Sequence, residues 1–256
     1  MTPVLWQFAF SHYNEKVRWA LDLKGIPHVR RSLLPGLHLP RILWMTGQTA
    51  VPVLVRDGET LWDSTRIIAR LEELVPEPAL YPSADADRRR ALALEEHFDE
   101  ELGPHIRVAL FYDLLPDADT AVAAMTTEAG PTVRRVYRAL FPLVRTAMMR
   151  TMRIDAASAA LGRRKVTAAL DRIEAEMQPS GYLVGNRFTI ADLTAAALFS
   201  PLLAPPEFPY PLPALPRAAQ QFRASLADRR GFTWLADVYR RHRGRSCAVP
   251  EASARP

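Results

Sequence analysis

The first eighty residues alternate between short apolar runs with strand-like spacing and longer segments with helical spacing. An apolar run, a turn and a helical segment open the chain in that order. Alternation of this kind predicts an α/β domain. The runs expected to form strands are residues 3–7, 28–33, 51–55 and 60–62, and the segments expected to form helices are residues 14–24 and 64–74.

Two turn signals connect these elements. Gly25-Ile26-Pro27 ends the first helix, because glycine adopts the left-handed conformation that follows many helices and proline cannot continue one. Asp57-Gly58 separates the third and fourth strands by the two residues typical of a tight hairpin. We therefore expect the third and fourth strands to be antiparallel.

The strand signals end at the proline-rich segment 76–82, after which Ala, Leu, Arg and Glu recur at helical spacing. This change predicts an all-helical second domain, with a kink or break at Pro142 and a stiff proline-rich loop over 200–213. The expected helices are residues 84–114, 131–153, 157–177, 189–200, 214–227 and 231–243. The expected domains are an α/β domain over 1–76, a linker over 77–84, a helical domain over 85–243 and a disordered tail over 244–256.

The composition narrows the classes of function. The net charge is +5, but Lys and Arg are interleaved with 28 acidic residues, so no nucleic-acid partner is expected. We interpret the basic run 240–245 as part of a solvated tail. The single cysteine, Cys247, excludes an internal disulfide and a cysteine metal cluster, which favours a cytoplasmic protein without a bound metal. No signal peptide precedes the first strand, and no apolar run reaches the roughly 18 residues of a membrane span.

Ser11 lies at the mouth of the first helix, directly after the first expected strand. Free N–H groups and the positive end of the helix dipole attract negative charge at such a position, which suits a thiolate. A structural alternative is that Ser11 or Asn14 simply caps the helix. From these residues alone both roles stay open.

Two further motifs are suited to a peptide-like, anionic ligand. Pro52 opens the third strand, and a cis Val51-Pro52 bond would turn the backbone N–H and C=O of Val51 outward to pair with an extended ligand. Asp63 and Ser64 open the next helix, where a cap can also hold a carboxylate.

A third motif is assigned to folding. Thr189 precedes Asp192 by three residues at the start of an expected helix, which is the spacing of a capping box. Phe188 and Leu193 flank it as a hydrophobic staple. We therefore expect Asp192 to satisfy backbone groups rather than to act in catalysis.

These motifs and their order resemble those of cytosolic-type glutathione transferases over residues 3–243. The matching segments are residues 11–18, 50–53, 62–64 and 182–192. The resemblance implies a thioredoxin-like N-terminal domain, an all-helical C-terminal domain and glutathione as co-substrate. A homodimer is the expected assembly.

The resemblance also implies roles for individual residues. Ser11 occupies the position of the catalytic serine or cysteine, Val51 that of the backbone clamp on the cysteinyl unit, and Asp63-Ser64 the γ-glutamyl site. His38 or Arg41 would meet the glycyl carboxylate. His12 departs from the proline that thioredoxin-like sites often carry. The expected thiol-binding set is Ser11, His12, His38, Arg41, Val51, Pro52, Asp63 and Ser64.

Thiolate formation needs more than one hydroxyl group. Lowering the pKa of a thiol from about 8.5 by two units takes about 2.7 kcal/mol. A hydrogen bond from Ser11 contributes about 0.5–1.5 kcal/mol and the helix terminus about 0.3–1 kcal/mol. The remainder must come from backbone N–H groups or a cation, for which His12 and Lys16 are the nearest candidates.

The substrate pocket is expected between the active turn and the first long helix of the second domain. Its candidate lining residues are Phe10, Tyr13, His105, Phe111 and Tyr112. An aromatic lining favours a small hydrophobic electrophile, although the same stripe also suits a packed core. A thiol transferase, a thiol-dependent lyase or isomerase, and a non-catalytic adaptor or ligand carrier all fit these residues, and the thiol is glutathione or a related one.

Overall fold

The N-terminal part of the chain is built around one mixed sheet with the strand order β2-β1-β3-β4. The structure is a computed structural model, and it describes residues 1–251. The strands are β1 (Val4–Gln7), β2 (Val29–Ser32), β3 (Val53–Arg56) and β4 (Glu59–Trp62). β1 and β2 are parallel, whereas β3 is antiparallel to both β1 and β4. The antiparallel pairing of β3 with β4 agrees with the hairpin prediction, and Gly58 takes the left-handed conformation at φ 82°.

Three helices accompany the sheet: α1 (His12–Leu23), α2 (Leu39–Thr46) and α3 (Ser64–Leu74). α2 was not among the expected helices, because its segment is short and lacks an acidic or hydroxyl cap. Pro40 lies in its first turn, where the missing N–H of proline costs no helical hydrogen bond.

The rest of the described chain is helical. The helices are α4 (Asp85–Glu101), α5 (Gly103–Leu114), α6 (Ala118–Met125), α7 (Pro131–Thr151), α8 (Ala156–Glu176), α9 (Ile190–Leu203), α10 (Arg217–Leu226) and α11 (Arg230–His242). An α/β N-terminal part followed by an all-α part confirms the predicted fold class.

Three details of the helical part differ from expectation. α6 (Ala118–Met125) was not among the expected helices. The helix expected over 84–114 is divided at Leu102, because Gly103-Pro104 follows and proline lacks a donor. A kink or break was expected at Pro142, and α7 continues through this residue without a break. Pro142 is exposed, so water can take the carbonyl group that loses its helical partner.

α9 joins the two parts of the molecule. Every residue of this helix except Pro201 is buried, and the helix packs against α1, α4 and α11. Its start contains the expected capping box: the Asp192 carboxylate accepts from the backbone N–H of Thr189 at 2.8 Å. The same carboxylate accepts from the N–H of Leu183 at 2.8 Å and so also anchors the preceding loop.

The chain beyond α11 returns to the first domain, which corrects the expectation of a disordered tail over 244–256. Arg243 is buried and pairs with Glu15 and Asp22 of α1. The N–H of Val249 then donates to the carbonyl group of His28 at 2.9 Å. Within the basic run, Arg243 resembles a solvated residue in sequence because its acidic partners lie more than two hundred residues earlier, whereas Arg240 is exposed and pairs locally with Asp237. Residues 252–256 of the expected tail lie outside the described residues.

No helix within residues 1–251 has the length and apolar character needed to cross a bilayer.

Candidate active site

The sheet register brings the three motifs that were predicted to bind the thiol to one end of the strands. Trp6 near the end of β1 pairs with Val53 at the start of β3, and Val53 pairs with Trp62 at the end of β4. The turn carrying Ser11, the residue Val51 and the start of α3 therefore leave the sheet on the same side. Each motif was recognised from its own neighbouring residues, and the register of the sheet shows that all three lie close to one another.

Ser11 is the N-cap residue of α1, with its backbone in the extended region. Its Oγ accepts from the N–H of Asn14 at 3.5 Å, which is long for a hydrogen bond. Ser11 is half-buried and lines the cavity described below. Because Oγ accepts this bond through a lone pair, the hydroxyl hydrogen of Ser11 can still donate to a ligand in that cavity.

A buried polar network supports the turn from below. The guanidinium of Arg18 donates to the side chain of Gln7 at 2.7 Å, to that of Glu15 at 2.8 Å and to the carbonyl oxygen of Ser11 at 3.2 Å. Tyr210 of the proline-rich loop accepts from Gln7 at 2.6 Å. These bonds fix the backbone of Ser11 from both parts of the chain.

The clamp segment forms the adjoining wall. Val51-Pro52 is a cis peptide bond, and Val51 lines the cavity, whereas Pro52 is buried and does not. His38 also lines the cavity, and its Nε2 lies 3.1 Å from the carbonyl oxygen of Thr49. Burial lowers the pKa of His38, so the imidazole is largely uncharged at neutral pH.

The start of α3 forms the third motif. Asp63 is its N-cap, and the carboxylate accepts from the N–H of Arg66 at 3.1 Å. Ser64 is buried as the first helical residue. Neither residue lines the cavity. If they bind the γ-glutamyl group as predicted, they do so at the N-terminal end of α3, outside the cavity wall.

Arg41 does not lie where the sequence analysis expected it. Its guanidinium stacks over the rings of Trp6 and Trp44, at 4.8 and 5.2 Å from their centroids, and borders a separate groove. Of the two candidates for the glycyl carboxylate, only His38 lines the cavity that contains Ser11.

The cavity has a volume of about 560 Å³ and mainly apolar walls. It lies between the active turn, α5, α7 and the proline-rich loop. Phe10, Tyr13 and Phe111 line it as expected. Further lining residues on α5, α7 and the loop are Leu110, Leu114, Val144, Met148, Leu212 and Leu215.

His105 and Tyr112 do not line the cavity, and this corrects their assignment to the substrate pocket. Both lie roughly 150° around α5 from Arg107, by the 3.6 residues per turn of an α-helix. The backbone carbonyl of His105 instead packs against Gly162 of α8. His105 and Tyr112 thus lie on the opposite face of α5 from the cavity, although they belong to the same helix as Phe111.

Neither expected cation supplies a free positive charge. His12 is buried, and its Nε2 lies 3.0 Å from the carbonyl oxygen of Gly103. Burial, with a smaller contribution from the charge of Arg107, lowers the pKa of His12 to about 3. His12 is therefore neutral at physiological pH.

Lys16 is charged, but its charge is already neutralised. Its Nζ lies 2.8 Å from the Glu95 carboxylate and 2.5 Å from that of Asp99. Burial opposes the charge of Lys16, but these two carboxylates outweigh burial and raise its pKa. The expectation that Lys16 assists the thiolate is wrong, because both carboxylates already neutralise its charge. These partners lie on α4, about eighty residues later in the chain, and could not be recognised from the residues around Lys16.

Arg107 is a charged residue of the cavity wall that was not among the predicted site residues. It lines the cavity from α5 and shares a helix face with Leu110, Phe111 and Leu114. Its Nε is buried without a hydrogen-bond partner, and within residues 1–251 its guanidinium forms no ion pair within 4.0 Å. The signal in the sequence was an arginine at i, i+3, i+4, i+7 spacing with apolar residues.

Family models match both parts of the chain. The model of the glutathione S-transferase N-terminal domain matches residues 5–79, and that of the C-terminal domain matches residues 136–224. The chain belongs to the glutathione S-transferase family. The sheet with α1–α3 is thus a thioredoxin-like domain, and the family resemblance seen in the sequence is confirmed.

Individual relatives agree with this assignment. The chain is 40% identical to a maleylpyruvate isomerase from a Ralstonia species over 95 residues, 35% of this chain and 44% of that relative. The chain thus matches less than half the length of this curated relative. The structure is similar to that of a glutathione S-transferase from Rhodospirillum rubrum F11, with a TM-score of 0.59, 25% identity and coverage of 91% of each chain.

A further solved structure shows the same fold. A glutathione S-transferase from Methylobacterium radiotolerans, in complex with glutathione sulfonate, has a TM-score of 0.56 and 22% identity. The match covers 91% of this chain and 93% of that one.

Proposed function

We propose that this glutathione S-transferase activates the thiol of glutathione, or of a related thiol, at Ser11 and transfers it to a small hydrophobic electrophile. The position of Ser11 carries the proposal: it stands at the N-terminus of α1 and on the wall of a mainly apolar cavity. Val51, His38 and the start of α3 with Asp63 and Ser64 would hold the peptide part of the thiol.

The hydroxyl group of Ser11 donates to the thiolate sulfur in this mechanism, and the positive end of α1 adds to its effect. The two contributions are about 0.5–1.5 and about 0.3–1 kcal/mol. Together they lower a thiol pKa of about 8.5 by about 0.6–1.8 units. His12 and Lys16 add no free charge, so we expect a moderate shift.

The sulfur then attacks an electrophilic carbon on the substrate. A C–S bond forms, the bond to the leaving group breaks, and the leaving group departs with the bonding electrons. The thiol proton has already passed to solvent. The apolar walls from α5, α7 and the proline-rich loop hold the hydrocarbon part of the substrate.

A thiol-dependent isomerase or lyase is the second candidate. The identity to a maleylpyruvate isomerase over 95 residues favours it. An isomerase adds the thiol and then releases it, so that glutathione is not consumed. Product mass separates the alternatives, because a transferase product contains the thiol and an isomerase product has the mass of the substrate.

The test is a conjugation assay with glutathione and 1-chloro-2,4-dinitrobenzene, followed by absorbance of the conjugate. Ser11→Ala should lower kcat/KM about 2- to 13-fold, corresponding to the loss of about 0.5–1.5 kcal/mol. Ser225→Ala, on the distant end of α10, is the matched control and should change nothing. A folded chain that binds glutathione but forms neither conjugate nor isomer would instead support an adaptor or ligand carrier.

The same proposal includes a role in detoxification, a cytoplasmic location and a homodimer. Membership of the family and the absence of a cysteine other than Cys247 support the last two. Light scattering on the purified protein tests the dimer, with twice the 28.7 kDa chain mass as the expected result.

A further inference from the structure

Arg107 brings a positive charge into an apolar cavity. Its neighbours on the cavity wall include Leu110, Phe111 and Leu114, and its Nε is buried without a partner. A buried charge without a partner is unfavourable, and buried charges in proteins are generally paired. A buried guanidinium group with an unpartnered Nε is suited to bind an anion.

The groups around Arg107 do not provide that anion. His12 and Tyr13 of α1 approach it, but His12 is neutral and the hydroxyl of Tyr13 donates to the carbonyl oxygen of Asp99 at 2.6 Å. Burial, reinforced by the charge of Asp99, raises the pKa of Tyr13, so its hydroxyl stays protonated.

Carboxylates of the packed helices α4 and α5 pair with other cations. Asp99 pairs with Lys16, and Asp113, which follows on α5, accepts two hydrogen bonds from Arg163. Within the described residues, no acidic side chain lies within ion-pair distance of Arg107. An anion that pairs with Arg107 would therefore belong to a bound ligand.

The carboxylates of the thiol are expected elsewhere. Their proposed partners, His38 and the start of α3, belong to the thioredoxin-like domain, whereas Arg107 enters from α5 of the helical domain. The anion that binds Arg107 is therefore expected to be part of the substrate.

We propose that Arg107 is a specificity-determining residue that binds a carboxylate on the electrophile, so that the preferred substrates are unsaturated or aromatic carboxylic acids. The inference rests on the proposed function of the cavity. A guanidinium group is planar and matches a carboxylate with two parallel hydrogen bonds. The apolar walls would hold the rest of the acid, and the low dielectric of the cavity would strengthen the pair.

The test compares two substrates that differ in charge, 4-chloro-3-nitrobenzoate and its methyl ester. In both reactions the thiolate sulfur forms a bond to the ring carbon that carries chlorine. The C–Cl bond breaks, chloride leaves with the bonding electrons, and the thiol proton goes to solvent. Each catalysed rate is divided by the uncatalysed rate with the same substrate, which removes the difference in intrinsic reactivity.

Arg107→Met should lower kcat/KM for the acid about 10- to 100-fold and should affect the ester much less, as expected for the loss of a charge-assisted pair. Arg107→Lys keeps the charge without the planar fork and should retain part of the preference for the acid. Arg145→Met is the matched control, because Arg145 is exposed on α7 and its loss changes the net charge equally. An equal loss with acid and ester, or no loss with either, would overturn the proposal.

A binding experiment keeps this inference separate from the proposed function. Calorimetry with 3-nitrobenzoate, which cannot react, should show weaker binding to Arg107→Met than to the wild type. Failure of the wild type to turn over acid and ester would refute the proposed function while this binding difference still supported the role of Arg107. Turnover of both substrates with unchanged binding and unchanged acid preference in Arg107→Met would refute the inference alone.

Discussion

Gly103 lies where α5 packs closely against Tyr13 of α1. Because α5 forms one wall of the cavity, this close contact also sets the position of that wall. A Cβ atom at this position would lie 2.1 Å from the hydroxyl oxygen and 2.5 Å from Cζ of Tyr13. Such distances require α5 or Tyr13 to move. Overpacking of this kind costs about 1–3 kcal/mol. Loss of the bond from Tyr13 to Asp99 adds about 0.5–1.5 kcal/mol, while the better helix propensity of alanine returns up to about 1 kcal/mol.

We therefore expect Gly103→Ala to lower the free energy of unfolding by about 0.5–4.5 kcal/mol, which is the net of these contributions. Urea unfolding followed by tryptophan fluorescence measures the change. The matched background is Tyr13→Ala, in which the obstructing ring is gone and Gly103→Ala should be close to neutral. Equal effects of Gly103→Ala in the two backgrounds would refute the contact and the placement of α5 that depends on it.

The remaining predictions concern buried charges. Burial raises the pKa of Asp192 to about 6, above its unfolded value, so its contribution to stability is present below about pH 4 and is lost as pH rises to about 6. The stability of the wild type relative to Asp192→Asn should accordingly fall by about 2–4 kcal/mol across that range in unfolding titrations, and a constant difference would contradict it. Arg243→Met should cost about 3–5 kcal/mol because it leaves Glu15 and Asp22 partly unpaired, whereas the exposed Arg240→Met should cost less than about 1 kcal/mol. Equal unfolding midpoints for these two variants would show that the chain after α11 is not anchored there.

The features that could be predicted from sequence depend on neighbours along the chain. Ser11 follows a strand and opens a helix, and the same local logic locates the Asp57-Gly58 hairpin and the Thr189–Asp192 capping box. Each motif needs only a few consecutive residues to be recognised. The α/β order of the first eighty residues follows from the same short-range periodicity.

The features that were missed depend on contacts between distant segments. The charge of Lys16 is neutralised by α4, and that of Arg243 is neutralised by α1, more than two hundred residues away. His12 loses its charge through burial against Gly103. Arg107 stands out in the structure because its buried Nε has no hydrogen-bond partner. This could not be predicted, because a sequence does not show which acidic side chains pair with which cations. His105 shows the related error of counting residues on the wrong helix face.

The central claim is that Ser11 stabilises a bound thiolate. The most direct measurement is the ultraviolet absorbance of the thiolate in the glutathione complex, titrated against pH in the wild type, Ser11→Ala and Ser225→Ala. We expect a wild-type midpoint about 0.6–1.8 units below the ordinary thiol value of about 8.5. Loss of a hydrogen bond of about 1 kcal/mol should raise that midpoint by about 0.7 units in Ser11→Ala and leave it unchanged in Ser225→Ala. The same midpoint in Ser11→Ala and the wild type would contradict the claim and leave Ser11 as a cap of α1.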